Sequence, residues 1–469
     1  MAAARLEKLG IPTVIIQRRE LIDATLGAVM GQGLPPEAPW VTFEYPMFLV
    51  GSDLSPLRQR TDEIIDHLIS WEPERKTTGT IRREPATVTG KDYAEAFQNV
   101  QLLFLRNRWG DGTTIAPPTK ERVDWIMTGA GHDRKEPVGG GRGAVMPKGG
   151  ILTYEVLATC LAMAGGRPEH LPVLAAACGS MVGRDNLMLT SSLSAYPGIL
   201  VSGPVARQIR LSSGFGLFGP DPVRPAGTAI GRALWFVLQD VGGLVSGTGT
   251  IAQYGEMRHG CLCFAENESA LPAGWVTYAE EYHSRARGTN SATYFLVRGG
   301  GVRGFTHRGR GDEPSFEVEM LESFYRAASV MKTTPTSGVP SDQAGVEGLL
   351  LYPALVCNNM AGIGWTKDKI KRRLAEELYY RLDEVKDKSG ILRACQEKGV
   401  DTRALPERFQ LYADPHRIRL VVAGGEHPSR GMWIPNLDVQ GNVEVELPGN
   451  WNDLLKQAAR DLGPPVTDY

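Results

Sequence analysis

The stretch LVSGPVARQIRLSSGFGLFGPDPVRPAGTAIGRALWFVLQDVGG, residues 200–243, decides how the middle of the chain is expected to fold. An apolar strand at Ile199–Val201 leads into a loop punctuated by Gly and Pro, and a helix is predicted to begin near Thr228. Small residues before a helix leave backbone N–H groups uncrowded and without intrahelical partners. We therefore predict a ligand-facing loop. Its substrate-binding candidates are Gly214, Gly216, Gly219 and Thr228.

The segment HGCLCFAENE, residues 259–268, holds the densest group of acid, base and thiol side chains in the chain. Strand side chains alternate, so Cys261 and Cys263 are expected on one face and Phe264 and the two glutamates on the other. Cys263 and Glu266 can then approach one pocket only if the strand ends or bulges near Ala265. The catalytic candidates in and after this segment are His259, Cys263, Glu266 and His283, with Glu268 as a substrate-binding candidate.

Three further candidates lie elsewhere in the sequence. Cys178 follows apolar helical text and precedes Gly and Ser, which makes it a catalytic candidate. Asp111 stands in the turn WGDG, close to backbone N–H groups that can line a pocket. His427 follows a buried strand at 417–423 and two glycines, at the strand end where ligands usually bind. Asp111 and His427 are therefore predicted to bind substrate. The alternative for the segment around Asp111 is a rigid turn that positions the next helix.

Composition limits the class of protein. The chain has 469 residues, with 51 Lys plus Arg against 53 Asp plus Glu and a formal charge of −2, which does not suggest a nucleic-acid partner. Its 55 Gly and 31 Pro predict a loop-rich α/β protein. It has no run of about 18 apolar residues and no signal-peptide core, so we expect a cytoplasmic protein with no membrane partner. The six cysteines show no disulfide spacing and are expected to be reduced.

The start of the sequence predicts a partial domain. Residues 2–9 favour a helix, Gly10 a helix stop and Pro12–Ile16 a strand, which together are typical of the second half of a βαβ crossover. We expect a partner chain, or alternatively a longer form of this chain, to supply the preceding strand. Residues 71–90 resemble a linker in composition. The predicted domains are a partial Rossmann-like α/β unit at 1–75 and a large mixed α/β domain at 91–469.

Periodicity predicts several other elements. Residues 55–70, 341–350 and 366–388 are predicted to be helices, and 417–423 a strand. Thr119 is predicted to cap a helix beginning at Lys120, after the rigid turn that two prolines impose.

At the level of whole segments, the sequence resembles the bacterial UGSC-motif (seleno)proteins, and more distantly the selenoprotein subunits of glycine and D-proline reductases. The N-terminal resemblance rests on LEKLGIPTVII and EYPMFLVGSDLSPLRQRTDEII. The later resemblance, to the large domain associated with UGSC proteins, rests on RWGDGTTIAPPTKERVDWIMTG, LAMAGGRPEHLPVLAAA, SGPVARQIRLSSGFGLFGP, AGTAIGRALWFVLQDVGG, CFAENE and VVAGGEHPSRG.

The resemblance implies that a motif bearing selenocysteine or cysteine precedes the first helix, and this sequence lacks that motif. A partner subunit carrying it would complete the domain. Two departures from the family pattern stand out. Gly165-Gly166 replaces an expected small residue and cysteine, and Cys261 is an additional thiol beside Cys263.

Three functions are compatible with these observations. The first is a subunit of a hetero-oligomeric enzyme that uses thiol chemistry, reductase-like or lyase-like, on a small polar substrate, with its pocket in residues 178–283 and a partner subunit. The second is a metal-dependent hydratase or lyase, in which a transition metal is held by His259, Cys261 and Cys263, with Glu266 as a further ligand. The third is a non-catalytic scaffold subunit. No CxxC, HExxH, P-loop or EF-hand spacing is present to decide among them.

Overall fold

The computed structural model describes most of the chain, and all structural statements below concern that part. The described residues are 9–31, 39–49, 51–71, 85–140, 144–184, 187–191, 195–252, 262–297, 303–306, 347–381, 407–410, 414–426 and 430–463, with Ala3, Leu6, Glu7 and Tyr412. The chain divides into two compact units. The first contains residues 1–195, 229–260 and 446–469, and the second residues 196–228 and 261–445.

The described strands and helices are numbered here in chain order. The strands are β1 (Ile15–Arg18), β2 (Trp40–Phe43), β3 (Tyr196–Ser202), β4 (Leu262–Ala265), β5 (Ser291–Val297), β6 (Arg303–Thr306), β7 (Glu347–Tyr352), β8 (Tyr379–Arg381), β9 (Arg408–Gln410), β10 (Ile418–Val422) and β11 (Arg430–Glu444). The helices are α1 (Ile22–Gly31), α2 (Ser55–Gln59), α3 (Thr61–Ser70), α4 (Tyr93–Asn107), α5 (Lys120–Met127), α6 (Tyr154–Met163), α7 (Leu171–Met181), α8 (Leu187–Thr190), α9 (Val205–Gln208), α10 (Ala226–Phe236), α11 (Tyr278–His283), α12 (Ala354–Gly362), α13 (Lys367–Glu377) and α14 (Trp451–Asp461).

The first unit begins with a small β–α–β element. Strands β1 and β2 pair in parallel, with Ile15 opposite Trp40, and α1 connects them. Val29 of α1 is fully buried and packs with Ile15 and Trp71. Strand β1 overlaps the strand predicted at 12–16 but lies a few residues later, and part of the helix predicted at 2–9 lies outside the described residues. The assignment of this β–α–β element to a Rossmann-like domain completed by another chain stays a prediction, as does the domain boundary between residues 75 and 91.

The remainder of the first unit is mainly helical. Thr119 caps α5 by accepting a hydrogen bond from the Arg122 backbone N–H at 3.3 Å, which confirms the predicted cap. Helix α7 is apolar on most faces and almost every residue of it is buried, as expected for a helix enclosed by protein. Helix α14 belongs to the same unit, and Arg167 pairs with its Asp461 at 2.7 Å.

The second unit is built on a curled, mixed, seven-stranded sheet. The strand order is β10-β7-β11-β5-β3-β4, and β6 pairs with β11. Strands β3 and β4 are parallel, as are β7 and β10, whereas β5 and β11 run antiparallel to their neighbours. Helices and a mixed sheet together confirm the predicted α/β class.

Side chains of this sheet alternate between two apolar cores. Leu350 and Leu420 pack toward α12 and α13, in the core that also holds Trp433. Leu349 and Val421 point to the opposite face, where they pack with aromatic side chains of other strands and of α11. Both faces are therefore covered, and β7 is a continuous apolar run rather than an alternating one.

Three sequence predictions need correction. The segment predicted as a helix at 341–350 is strand β7 from Glu347 onward, because a short apolar run cannot be assigned to helix or strand by periodicity alone. The helix predicted at 366–388 ends at Glu377 and is followed by β8. The helix predicted at 55–70 is divided at Arg60 into α2 and α3.

No helix in the described part of the chain is long and apolar enough to span a membrane.

Candidate active site

The carboxyl ends of β4 and β10 lie together with the loop that follows α9. Strand β4 ends at Ala265, which is the condition stated above for Cys263 and Glu266 to approach one pocket. Three backbone hydrogen bonds hold these segments together: Ala265 N–H to Ser212 O at 2.9 Å, Gly424 N–H to Ser213 O at 2.9 Å, and Asn267 N–H to Val422 O at 2.7 Å. The glycine-rich loop predicted to face a ligand is thus fixed beside the two predicted glutamates.

Glu266 is enclosed at the end of β4. Its side chain has no exposed surface, and its Oε2 accepts a 2.6 Å hydrogen bond from the backbone N–H of Tyr278, the first residue of α11. Its Oε1 lies 3.5 Å from the Nζ of Lys367 at the start of α13. Burial raises the pKa of Glu266, whereas the Lys367 charge and the hydrogen bonds that the carboxylate accepts oppose that rise.

A second buried carboxylate extends this contact into a network. Glu281 Oε2 lies 3.6 Å from Lys367 Nζ, and its Oε1 contacts the Nζ of Lys371. Lys371 is almost fully buried, with a side-chain exposure of 1%. The residues Lys367 and Lys371 are one helical turn apart on α13, so the two ammonium groups lie on the same side of that helix.

Arg419 of β10 contacts two tyrosine side chains and one further carboxylate. Its Nε pairs with Glu347, and its NH1 donates a 3.0 Å hydrogen bond to the hydroxyl of Tyr278. Its guanidinium also lies 4.3 Å from the ring centre of Tyr282. The six charged side chains are three carboxylates and three cations, so their formal charges balance: Glu266, Glu281, Glu347, Lys367, Lys371 and Arg419.

Glu268 is the more accessible carboxylate of the pair in CFAENE. It is half-buried, and its Oε1 accepts a 2.7 Å hydrogen bond from the backbone N–H of Gly203, just after β3. Burial raises its pKa, and the nearby charges of Glu266 and Glu280 add to that rise, while the Gly203 N–H and Arg287 oppose it. A carboxyl group of this kind can exchange a proton nearer neutral pH than a solvated glutamate.

The predicted substrate loop has the backbone conformations expected of its glycines. Gly216 and Gly219 both have φ near +67°, a region that other residues rarely adopt. A Cβ at Gly219 would lie 2.8 Å from the Oγ1 of Thr228, so this glycine is also needed for close packing. The loop presents an exposed aromatic ring, Phe215, whose side chain lies against the backbone of Gly425.

The thiols are not placed for ready nucleophilic attack. Cys263 is buried in the second unit and Cys178 in the first, and burial raises the pKa of each above its ordinary value. Reactive cysteines usually occupy partly exposed, electropositive positions that lower the thiol pKa. Their proposed catalytic roles stay predictions that this burial does not favour.

His283 ends α11 in the same unit as Glu266. Its Nε2 lies 3.4 Å from the Oγ1 of Thr293, and its ring packs edge-on against Tyr278 at 5.4 Å. Burial, together with the charges of Arg419 and Arg285, lowers its pKa to about 4. The imidazole is therefore neutral at pH 7, where it can accept a proton but has none to spare as an acid.

Other predicted residues are elsewhere. Asp111 lies in the first unit, where it pairs with Arg232, and so it is described separately below. His259, Cys261 and His427 lie outside the described residues. Within the described ranges, no group of three or more His, Cys, Asp or Glu side chains is arranged to hold a metal ion. The metal site predicted at His259, Cys261 and Cys263 stays a prediction.

Sequence reasoning missed five members of the ionic network. They stand among many other charged residues, and nothing in their local sequence distinguishes them: Glu281, Glu347, Lys367, Lys371 and Arg419. The only available signal is the spacing of Lys367 and Lys371 directly after Thr366, which caps α13. That spacing predicts a shared helix face but not its burial.

Comparison of the chain with protein-family models, curated proteins and solved structures finds no significant match. The fold and site geometry therefore stand on their own, and the UGSC resemblance stays a prediction.

Proposed function

We propose that this chain is a subunit of a cytoplasmic enzyme that binds a small polar substrate at the carboxyl end of β4. Glu268 is the proposed proton-transfer residue, and the loop containing Gly214, Gly216 and Gly219 supplies backbone N–H groups. The observation that carries this proposal is the half-buried Glu268 carboxylate, which is fixed by the Gly203 N–H and has a raised pKa. The charge of the buried Glu266 beside it adds to the rise in the pKa of Glu268, which favours the protonated form.

The proposed thiol chemistry needs a cysteine or selenocysteine from another subunit. All four described cysteines are buried, and burial raises the thiol pKa at each: Cys160, Cys178, Cys263 and Cys357. None of these four described cysteines favours a reactive thiolate, and Cys261 and Cys395 lie outside the described residues. We propose that the thiolate comes from a partner, which is the role that the UGSC resemblance implies for a second chain. Reductase-like and lyase-like reactions both remain open under this proposal.

The proposed partner binds the N-terminal part of the first unit. Strands β1 and β2 form a sheet of two strands, and such a small sheet is marginally stable unless it is extended or covered. Large apolar side chains are exposed around it, among them Leu9 at 75% and Ile69 at 78%. A second protein that adds a strand to this sheet and covers α3 would bury these side chains.

The first test is native mass spectrometry of the chain co-expressed with the products of its neighbouring genes. A stable hetero-oligomer supports the proposed subunit role. A lone homo-oligomer contradicts it and moves the search for the site to this chain by itself. Metal analysis of the same sample tests the alternative hydratase or lyase, which requires a stoichiometric transition metal.

The second test addresses Glu268 in the assembled complex. Thermal unfolding is followed with a panel of small amino acids and hydroxy acids, using the wild type, Glu268→Gln and the exposed control Asp453→Asn. The proposal expects a ligand-dependent rise in Tm for the wild type and the control that Glu268→Gln loses. If Glu268→Gln retains the full ligand-dependent rise in Tm, Glu268 does not contact the ligand. That result favours the scaffold alternative.

A further inference from the structure

The glycine-rich loop of the second unit contains two phenylalanines with opposite environments. Phe218 packs its ring edge-on against Phe264 at 5.3 Å and lies against the apolar core. Phe215, three residues earlier, is 61% exposed. It is the only exposed aromatic ring among the side chains that the structure describes in the second unit. A single exposed apolar side chain is ordinary on a protein surface, so its significance depends on how it is held.

The backbone that carries the Phe215 ring is fixed by side chains of the same loop. The Ser212 hydroxyl and the Arg224 guanidinium both donate to the Phe215 carbonyl oxygen, at 3.0 and 2.6 Å. The next residue, Gly216, has φ +67° and begins a turn, in which its carbonyl oxygen accepts from the Gly219 N–H at 2.8 Å. The position of the ring is therefore set by the loop before any ligand binds.

Gly425 provides the surface on which the ring rests. A Cβ at this position would lie 2.1 Å from the Cδ1 and 2.4 Å from the Cε1 of Phe215, so only glycine allows the ring to approach this closely. The φ of Gly425 lies outside the left-handed region, and the need for glycine therefore comes from the ring and not from the backbone conformation. The preceding Gly424 N–H donates to the Ser213 carbonyl at 2.9 Å, which joins the loop to the end of β10 beside the ring.

The exposed ring lies at the end of the sheet that carries Glu268. The Ala265 N–H donates to the Ser212 carbonyl at 2.9 Å, and the Asn267 N–H donates to the Val422 carbonyl at 2.7 Å. These bonds connect the segment that leads to Glu268 with the glycine-rich loop on one side and with the end of β10 on the other. A molecule whose polar end binds at Glu268 can therefore extend toward the ring.

The charges beside the ring are balanced. The Arg224 guanidinium lies 3.5 Å from the Asp221 carboxylate, and its NH1 is occupied by the Phe215 carbonyl oxygen. Because these two charges cancel, the ring offers an uncharged apolar surface. Such a surface gains most from covering by another apolar or aromatic group, which removes both areas from water.

We propose that Phe215, resting on Gly425, selects the side chain of the substrate, and that the substrate is an amino acid or hydroxy acid with an aromatic side chain. This inference rests on the proposed function, in which the polar end of the same molecule binds at Glu268 and at the loop N–H groups. Contact between two rings strengthens binding about three- to tenfold. Because the ring is held in place beforehand, little side-chain freedom is lost on binding.

Isothermal titration calorimetry of the full-length protein, in the assembly that it forms, tests this with two matched pairs of compounds. The pairs are L-alanine with L-phenylalanine and L-lactate with L-3-phenyllactate, and the members of each pair differ by one ring. The wild type should bind the ring-bearing member about three- to tenfold more tightly. Phe215→Tyr keeps the ring and should retain this preference. Phe215→Leu should lose most of it, with the affinity for L-alanine and L-lactate unchanged.

Gly425→Ala is a second variant that leaves Phe215 in the sequence but displaces its ring. It should lose the preference as Phe215→Leu does, because the added Cβ occupies the place of the ring. Gly449→Ala is the matched control, since no atom lies within 4 Å of a Cβ there. Tyr93→Leu removes an exposed ring of the first unit. Both controls should bind the four compounds as the wild type does.

The inference and the proposed function fail on different results. If binding of all four compounds depends on Glu268 and is equal within each pair, or if Phe215→Leu keeps the preference, the inference is overturned and the proposed function stands. If the preference depends on Phe215 but Glu268→Gln does not weaken binding, the role proposed for Glu268 is wrong and the aromatic contact stands. Absence of binding by all four compounds overturns the substrate class. Loss of assembly in Phe215→Leu, seen by native mass spectrometry, assigns the ring to a subunit contact and also overturns the inference.

Discussion

At the scale of single residues, the second unit places a carboxylate where water cannot reach it. Glu266 depends on Lys367 and the Tyr278 N–H to compensate for the solvation that it loses. Buried pairs of this kind contribute little net stability compared with apolar residues of the same shape, but losing one partner leaves the other charge unpaired. The pair therefore adds little to the stability of the unit. Its main effect is that substitution of either partner alone is costly.

Glu266→Ala should lower the free energy of unfolding of the second unit by about 3–5 kcal/mol, because it leaves the Tyr278 N–H without its acceptor and Lys367 with Glu281 as its remaining partner. Glu266→Gln keeps one of the two acceptor oxygens and the shape of the side chain, and should cost less. Urea unfolding followed by circular dichroism measures the difference. Asp453→Asn, which removes an exposed pair with Lys456, should change stability by less than about 1 kcal/mol. Equal costs for Ala and Gln at position 266 would contradict this assignment.

The pair between Asp111 and Arg232 gives a pH-dependent prediction. Burial opposes ionisation of Asp111, but hydrogen bonds from Arg232 and Thr113 outweigh it and lower the pKa to about 2. A carboxylate with a lowered pKa contributes stability above its unfolded pKa near 3.8, and loses that contribution as pH falls through about 2. Asp111→Asn should therefore cost about 1.5–3 kcal/mol at pH 7 and progressively less below pH 4.

The control for this prediction is a double-mutant cycle with Arg232→Met. If the charge pair is responsible, the two substitutions together should cost less than the sum of their separate effects at pH 7. Additive costs, or a cost of Asp111→Asn that stays constant down to pH 3, would assign the effect to something other than the ion pair.

At the scale of secondary-structure elements, the central strands depend on glycine at points of close contact. A Cβ at Gly348 of β7 would lie 1.8 Å from the ring of Trp433 on the neighbouring strand β11. That ring is fully buried between the sheet and its covering helices, so it has nowhere to move. Glycine weakens a strand in general, and its presence here reflects the space that the tryptophan requires.

Gly348→Ala should destabilise the second unit by about 1–3 kcal/mol through overpacking, and should change the near-ultraviolet signal of Trp433. Gly362→Ala is the matched control, because no atom lies within 4 Å of a Cβ at that helix end. It should be neutral or slightly stabilising, since alanine reduces the freedom of the unfolded chain. Thermal unfolding of the two variants side by side gives the comparison, and an equal effect would contradict the packing argument.

Local sequence patterns predicted the elements whose ends are marked by capping or breaker residues. The cap at Thr119 follows from its position before Lys120, and the strand predicted at 417–423 is β10 at Ile418–Val422. The strand β7 was mistaken for a helix, because LLLY is apolar on every face and neither period is visible. The pairing partners of Glu266 could not be predicted at all, since Lys367 is 101 residues away in sequence. Proximity of that kind is a property of the sheet, and no local window contains it.

At the scale of the whole molecule, each compact unit is assembled from separated stretches of sequence. The second unit combines residues 196–228 with residues 261–445, and the first unit combines three stretches. Helix α14 completes the first unit: Trp451 and Leu454 are buried, Asn450 donates to the Thr128 carbonyl at 3.0 Å, and Asp461 pairs with Arg167. The first unit therefore contains contacts between residues separated by about three hundred positions in sequence.

A chain shortened to residues 1–445 should leave the first unit incompletely packed. We expect limited proteolysis to cut residues 120–181 of this shortened chain faster than in the full chain, because the helices around Arg167 lose the cover of α14. Leu454→Ala in the full chain should also speed proteolysis, but by less, and should lower the free energy of unfolding by about 2–5 kcal/mol. Lys456→Ala, on the exposed face of α14, should have little effect on either quantity. Equal protease resistance of the shortened and full chains would contradict the role of α14.

The late position of α14 also has a consequence for biosynthesis. A ribosome releases the N-terminal helices of the first unit long before it makes their covering helix, and at about 5–20 residues per second the interval is tens of seconds. During that interval the apolar surface that Trp451 and Leu454 later cover is exposed to solvent. Nascent chains of this protein should therefore recruit holding chaperones, and synonymous codons that slow elongation before residue 446 should lower the yield of native protein.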